Sequence, residues 1–191
     1  MTMLSRQTQF SMKDGRSPDA RPVRRMLSQM AGMFADQRSF EELLRRGDAL
    51  VYEFHDMGVP ADPGAIAYGT SILYPGRVGE EYFMTKGHFH TVRDTAEVYY
   101  CLNGHGFLLM ENPEGDCEAR ELTPGTAVYV PGRFAHRSIN VSATETLVTF
   151  FAFRGDAGHD YRTIETRGFR KLMVEREGRP RLVDNPRWAK P

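Results

Sequence analysis

The stretch "AEVYYCLNGHGFLLMEN", residues 96–112, carries two short aromatic and aliphatic runs on either side of Asn103-Gly104-His105-Gly106. Runs of that length meeting at a glycine-rich turn predict a β-hairpin. The same pattern extends in both directions. Upstream lie "ALVYEFHD", "AIAYGTSILYP" and "EYFMTKGHFH", and downstream lie "TAVYVP" and "ETLVTFFAF". The breaks between them, "PGRVG", "NPEGD" and "TPG", are turn formers. Many short strands with no helix between them predict an antiparallel barrel or sandwich. "FRKLMVEREGRPRLVDN" predicts one more hairpin, turning at Glu177-Gly178.

Before residue 48 the pattern differs. The first 20 residues are polar and irregular and predict an arm. "VRRMLSQMAGMF" (23–34) spaces Met26, Met30 and Met33 as one face of a helix would. "SFEELLRRG" (39–47) pairs Ser39 with Glu42 as a capping box and stops at Gly47. The architecture expected is mainly β and a single domain overall. An arm with short helices over residues 1–47 packs on a β-barrel over residues 48–191.

A chain of 191 residues can bury one substantial core. Lys+Arg and Asp+Glu both total 25, so the formal net charge is zero. That balance argues against a nucleic-acid partner, which a basic surplus would announce. It leaves room for a small anionic substrate held by local donors. Two cysteines make no disulfide framework. "MTMLSRQTQFSMKDG" lacks the apolar core of a secretion signal. "TLVTFFAF" is far short of the roughly 20 apolar residues of a membrane span. The expectation is a cytoplasmic protein with no membrane partner.

Chemistry concentrates in "GHFHTVRDTAEVYY", residues 87–100. If residues 82–90 form a strand, His88 and His90 share one face. Glu97 opens the next strand and a return turn brings it alongside. His136, in "GTAVYVPGRFAHRSIN", follows a strand and a Pro-Gly turn, where a barrel wall places inward ligands. Three imidazoles and one carboxylate suit Fe(II), Mn(II), Zn(II), Ni(II) or Co(II) rather than calcium or magnesium. His55 lacks such partners, and His105, in the turn "NGHG", is expected to be solvated.

His88, His90, Glu97 and Gly104, followed by Gly125, Pro131, His136 and Asn140, resemble the two cupin motifs. Six residues separate His90 from Glu97, more than most cupins have, and Arg133 stands where the second motif carries glycine. The long spacing is similar to that of the cupin-type glucose-6-phosphate isomerases. The resemblance also takes in "LYPGRVGEEYFMTKGHFH", "DAGHDY" and "VDNPRW", and is dense from about residue 22 to 188. It implies a cupin jelly-roll β-barrel, a homodimer, and interconversion of glucose 6-phosphate and fructose 6-phosphate in glycolysis and gluconeogenesis.

The resemblance also implies roles. One divalent transition metal per subunit, Fe(II) foremost, would be held by His88, His90, Glu97 and His136. Such an ion can hold the C1 and C2 oxygens of an open-chain sugar. Glu97 is either a fourth ligand or the base that takes the C2 proton, and a carboxylate on a cation loses basicity. A hydride shift needs no base, and the sequence leaves both routes open. Ser71, Thr85 and Gly87 match phosphate-contacting positions. Tyr52, Tyr99, His159 and Tyr161 match positions around the sugar, with Tyr99 and His159 beside Glu97 as catalytic candidates. Phe153 stands where relatives carry a phosphate-contacting tyrosine, which removes one hydroxyl. Two other functions compete: a metal-dependent cupin oxygenase with the same ligands, and a non-catalytic sugar-binding barrel. The hydroxyl-rich set and the intact ligand set favour the isomerase.

Overall fold

The alternation read in "EVYYC" is the organising feature of the computed structural model, which describes residue 5 and residues 7–188. β6 (Glu97–Asn103) buries Glu97, Tyr99 and Cys101 and exposes Val98 and Tyr100 between them. It runs antiparallel to β11 (Leu147–Arg154) on one side and to β9 (Ala127–Val130) on the other. β11 pairs in turn with β3 (Ile66–Leu73), β3 with β2 (Leu50–Asp56), and β2 with β1 (Val23–Met26). This large sheet therefore runs in the order β1-β2-β3-β11-β6-β9.

A second sheet is built from the predicted hairpin partner. β7 (Gly106–Glu111) lies between β8 (Cys117–Leu122) and β10 (Ala135–Asn140). A third holds β4 (Arg77–Val78) and β5 (Glu81–Tyr82) beside the hairpin of β12 (Lys171–Arg176) and β13 (Arg179–Asp184). That last hairpin turns where the sequence predicts, with Glu177 and Gly178 at φ 55° and 73°, the left-handed pair a two-residue turn needs. Tyr99, Cys101 and Phe151 of the large sheet share one core with Leu109 and Ile139 of the second. Mainly β, with antiparallel sheets packed face to face in the jelly-roll manner, is the class the sequence predicts.

Three local readings change. Residues 23–34 do not form a helix: Val23–Met26 is β1 and Leu27–Met30 a 3-10 turn. The edge of β2 offers that segment its backbone partners, pairing Arg25 with Tyr52, while Met30 and Met33 still reach the core. The helix read at 39–47 is α1 (Gln37–Arg46), capped by Asp36 rather than Ser39. Asp36 accepts from both the Ser39 amide (2.9 Å) and its hydroxyl (2.7 Å), and Glu42 pairs with Arg38 instead. α2 (Tyr161–Arg167) breaks the expectation of strands alone.

The arm is docked along its described part, with residues 1–4 and 6 outside the described residues. Phe10 meets Tyr68 and Phe150 edge-on, and the Gly15 carbonyl accepts from the Thr70 hydroxyl. A side chain at Gly15, at φ 72°, would strike Val148 at 2.6 Å. His55 is buried beneath this arm, where its Nδ1 accepts from the Ser17 amide. His105 is paired rather than merely solvated, 2.8 Å from Glu121. Both cysteines are free thiols. No helix among the described residues is long and apolar enough to cross a membrane.

Candidate active site

Period two delivers most of one wall. On the inner face of the large sheet, Tyr52, Phe54 and Asp56 of β2 follow one another, and Phe54 lies opposite Ser71 of β3. Phe151 and Phe153 of β11 pair with Tyr99 and Glu97 of β6. Gly69 is the empty position in this row: a Cβ there would meet the Phe151 ring at 2.8 Å. His136 and Ser138 of β10 close the opposite wall. Together they enclose a cavity of about 280 Å³, also lined by Thr85, Lys86, Gly87, His88, His159 and Tyr161.

Residues 83–90 differ from the strand expected. β5 ends at Tyr82, and beyond it only isolated bridges tie Met84 to Ile139 and His88 to His136. Three residues, 85 to 87, oppose two, 137 and 138, so the segment bulges, with Gly87 at φ 75°. His88 and His90 nevertheless reach the same place. The ligand atoms of His88, His90, Glu97 and His136 all lie within 4.8 Å of one another.

The hydrogen bonds around this cluster fix its proton positions. His90 Nδ1 lies 3.1 Å from the Thr95 carbonyl and His136 Nδ1 3.4 Å from the Phe134 carbonyl. A carbonyl only accepts, so these nitrogens carry the protons and leave both Nε2 lone pairs bare. Those lone pairs face Glu97 Oε2 at 3.1 and 2.9 Å. His88 Nε2 is buried without a hydrogen-bond partner among the described residues. Lone pairs opposing a carboxylate in a buried site repel unless a cation lies among them. The donor set therefore fits a divalent transition metal, with backbone carbonyls orienting two imidazoles from behind.

Electrostatics agree with that reading. Burial, reinforced by His136 and His159, holds the basicity of His88 well below the usual histidine range, so it stays neutral. Burial pushes Glu97 up, but positive charge at the Nε2 positions of His136 and His90, which a proton supplies without metal and a metal ion would supply in its place, outweighs it and holds the carboxyl below its ordinary range. Burial and the neighbouring Glu97 carboxylate raise Tyr99 far above a free phenol. Tyr52 is pushed up to about 12, chiefly by burial. His159 is lowered by burial.

His159 and Tyr161 are delivered by the start of α2. Asp160 caps it through the Thr163 amide and is held by Arg93 at 2.8 Å. Its backbone bridges Phe89, so the two flanking rings stack and project toward the cluster. The His159 ring lies 4.4 Å from that of His88 and 5.7 Å from that of Tyr161. Phe153 packs its ring 5.4 Å from His90. Every residue singled out in the sequence for substrate contact thus lines one cavity. Phe54, Asp56, Lys86, Ser138 and Phe151 line it too, and sequence reasoning missed them. Counting by two from Tyr52 and from His136 would have found three of the five.

The glucose-6-phosphate isomerase (GPI) family model matches residues 23–188. The glucose-6-phosphate isomerase of Pyrococcus abyssi is 45% identical over 171 residues, covering 90% of either chain. That of Pyrococcus furiosus is 45% identical over 166 residues, or 87% of either chain. Among solved structures, an oxalate oxidase aligns at a TM-score of 0.49 and 12% identity, over 62% of this chain and 58% of that one. With the four-residue donor cluster inside the matched span, and identity to those isomerases running nearly end to end, the chain belongs to the cupin-type glucose-6-phosphate isomerase family.

Proposed function

We propose that the protein interconverts glucose 6-phosphate and fructose 6-phosphate in a metal-dependent reaction, as the names of its relatives indicate. The observation that carries the metal is the convergence of three imidazoles and one carboxylate within 4.8 Å, with the Nε2 atoms of His88 and His136 left without a hydrogen-bond partner among the described residues. His88, His90, His136 and Glu97 would hold the ion, and Fe(II) is the member of the transition series we favour. Once bound, it would supply Lewis-acid polarisation of the sugar's carbonyl oxygen.

The protein's own groups account for the rest. Glu97 is the carboxylate of the donor cluster and is the residue we assign to the C2 proton. Tyr99, two residues on along β6, stays a neutral phenol and donates to it. His159 is uncharged near neutrality and stands toward the cavity mouth, where it can trade a proton with the ring oxygen as the sugar opens. Tyr52 and Tyr161 are neutral donors for sugar hydroxyls. Ser71, Thr85 and Gly87 all line the cavity, and we assign their hydroxyls and the Gly87 amide as donors for the phosphate. Phe153 contributes an apolar wall. The cavity's hydroxyl-rich lining suits a polyol phosphate better than the apolar substrates an oxygenase would need.

A homodimer and a cytoplasmic location belong to the same proposal. The outer face of the large sheet exposes Val98, Tyr100 and Tyr129 side by side, an apolar patch that a second copy would cover. A phosphorylated sugar substrate is confined to the compartment that makes it. The test follows glucose 6-phosphate from fructose 6-phosphate with chelated protein, adding Fe(II), Mn(II), Ni(II), Co(II) or Zn(II) in turn. We expect one of these to restore turnover. Silence from folded protein loaded with each metal overturns the proposal and directs attention to oxygen consumption.

A further inference from the structure

We infer that Arg137, a residue behind the cavity and out of reach of substrate, is the positioning residue that makes the Lys86–Gly87 peptide an anion donor. The inference rests on the sugar-phosphate reading above. Arg137 follows the metal-cluster histidine His136 on β10, but it points to the other side of that strand. It is among the largest fully buried side chains, at 2% exposure. Its guanidinium carbon lies over the Phe169 ring, 4.3 Å from the centroid. Nη1 reaches Met84 Sδ at 2.8 Å, and Nη2 donates to the Lys86 carbonyl at 2.6 Å.

The bulge explains why that carbonyl needs an arginine. With three residues opposing two, the ladder to β10 satisfies Thr85 N–H through the Ser138 carbonyl and His88 N–H through the His136 carbonyl. The Ser138 amide is left to the Thr85 hydroxyl at 3.1 Å, which frees the hydroxyl's own proton for the cavity. The Lys86 carbonyl has no ladder partner and is taken by Arg137. A trans peptide sets its N–H opposite its C=O, and no cis bond occurs among the described residues. Turning the Lys86 carbonyl back toward Arg137 therefore turns the Gly87 amide forward. That amide has no acceptor among the described residues, and Gly87 lines the cavity.

Two consequences follow. The orientation of the donor is set by a side chain that never meets the ligand. The buried cation also stands behind the peptide dipole and strengthens the positive end presented to an anion. This gives a chain of zero net charge a local means of favouring phosphate. A glycine is required at the hinge, since a Cβ at position 87 would strike Phe169 at 2.8 Å and the Arg137 stem at 3.0 Å.

The experiment compares wild type with Arg137→Lys and Arg137→Met as metal-loaded holoenzymes. It measures kcat and KM for fructose 6-phosphate, competition by inorganic phosphate, and direct phosphate binding by calorimetry. Arg137→Met is expected to raise KM and weaken phosphate binding tenfold or more, with kcat within about threefold and metal content unchanged. Arg137→Lys, which keeps the charge and one donor, is expected to fall between. Unchanged phosphate affinity in folded, metal-loaded Arg137→Met overturns the inference. So does an equal loss of kcat with metal content, which would make Arg137 a support for His136 alone. If Arg137→Met fails to fold, Phe169→Leu, which frees the guanidinium to tilt, must weaken phosphate binding at constant metal content or the inference fails. Should wild type bind phosphate yet not turn over fructose 6-phosphate, the isomerase reading falls while calorimetry still decides the role of Arg137.

Discussion

Glu81 shows how a single buried carboxyl can set a pH response away from the cavity. Its Oε2 accepts from the Ala35 amide at 2.9 Å, while Oε1 is buried with no partner among the described residues. Burial pushes its pKa up to about 7, against the opposing pull of that amide and of Arg137. In the unfolded chain it titrates in the ordinary carboxylate range, near 4.5. Between those two values the folded state holds the extra proton. Stability that is fully present below about pH 4.5 is therefore lost as the pH rises through 7. The shift corresponds to about 3 kcal/mol at pH 8. Glu81→Gln keeps the shape and an acceptor but removes the charge. We expect its Tm to exceed wild type by roughly 5–10 °C at pH 8 and to match it at pH 5. A gap of the same size at both values would show that Glu81 does not titrate in this way.

At the scale of elements, α1 separates two readings of one helix start. "SFEE" reads as a capping box at Ser39, yet the structure caps the helix three residues earlier, on Asp36. Asp36→Ala should cost about 1 kcal/mol, or roughly 2–4 °C in Tm for a chain of this size. Glu42→Ala should stay within about 0.5 kcal/mol, since it breaks only an exposed pair with Arg38. Thermal melts of both variants decide, and the reverse ranking would restore Ser39 as the cap. The misreading has a general cause. Asp36, Ser39 and Glu42 are spaced three apart, so two adjacent frames carry a cap signal, and the structure takes the one in which Asp36 holds both Ser39 donors and Phe40 is buried in the core. Residues 23–34 have a similar history: the spacing of Met26, Met30 and Met33 fits a helix, but the edge of β2 captures the backbone of Val23–Met26. Strands such as β6 and β11 were legible because alternation is a property of the strand itself. His88 and His90 were legible as a pair for a reason that turned out incomplete. The bulge at 85–87, which depends on Arg137 and Phe169 far along the chain, leaves no local trace beyond Gly87.

For the whole molecule, the donor cluster lies where three separate parts of the chain meet, so occupancy and folding are coupled. His88 and His90 come from the bulged segment, Glu97 from the start of β6 in the large sheet and His136 from the opposite sheet. Without a cation, three imidazoles must crowd one carboxylate with lone pairs opposed. Filling the site removes that repulsion and ties the two sheets together. Metal at about a hundred times its dissociation constant should add about 2.7 kcal/mol, which is roughly 5–10 °C in Tm. We propose that the segment before residue 48 and the barrel unfold together, so the rise should appear as a shift of one transition. His136→Ala should lose most of the gain, because the ligand bridging to the second sheet is gone. The gain should also shrink as the pH falls, since protons compete with the metal for its ligands. Calorimetry of chelated and reloaded protein at pH 7.5 and 5.5 measures all three effects. A metal-induced shift that survives intact in His136→Ala would place the ion elsewhere and separate the cluster from the stability of the fold.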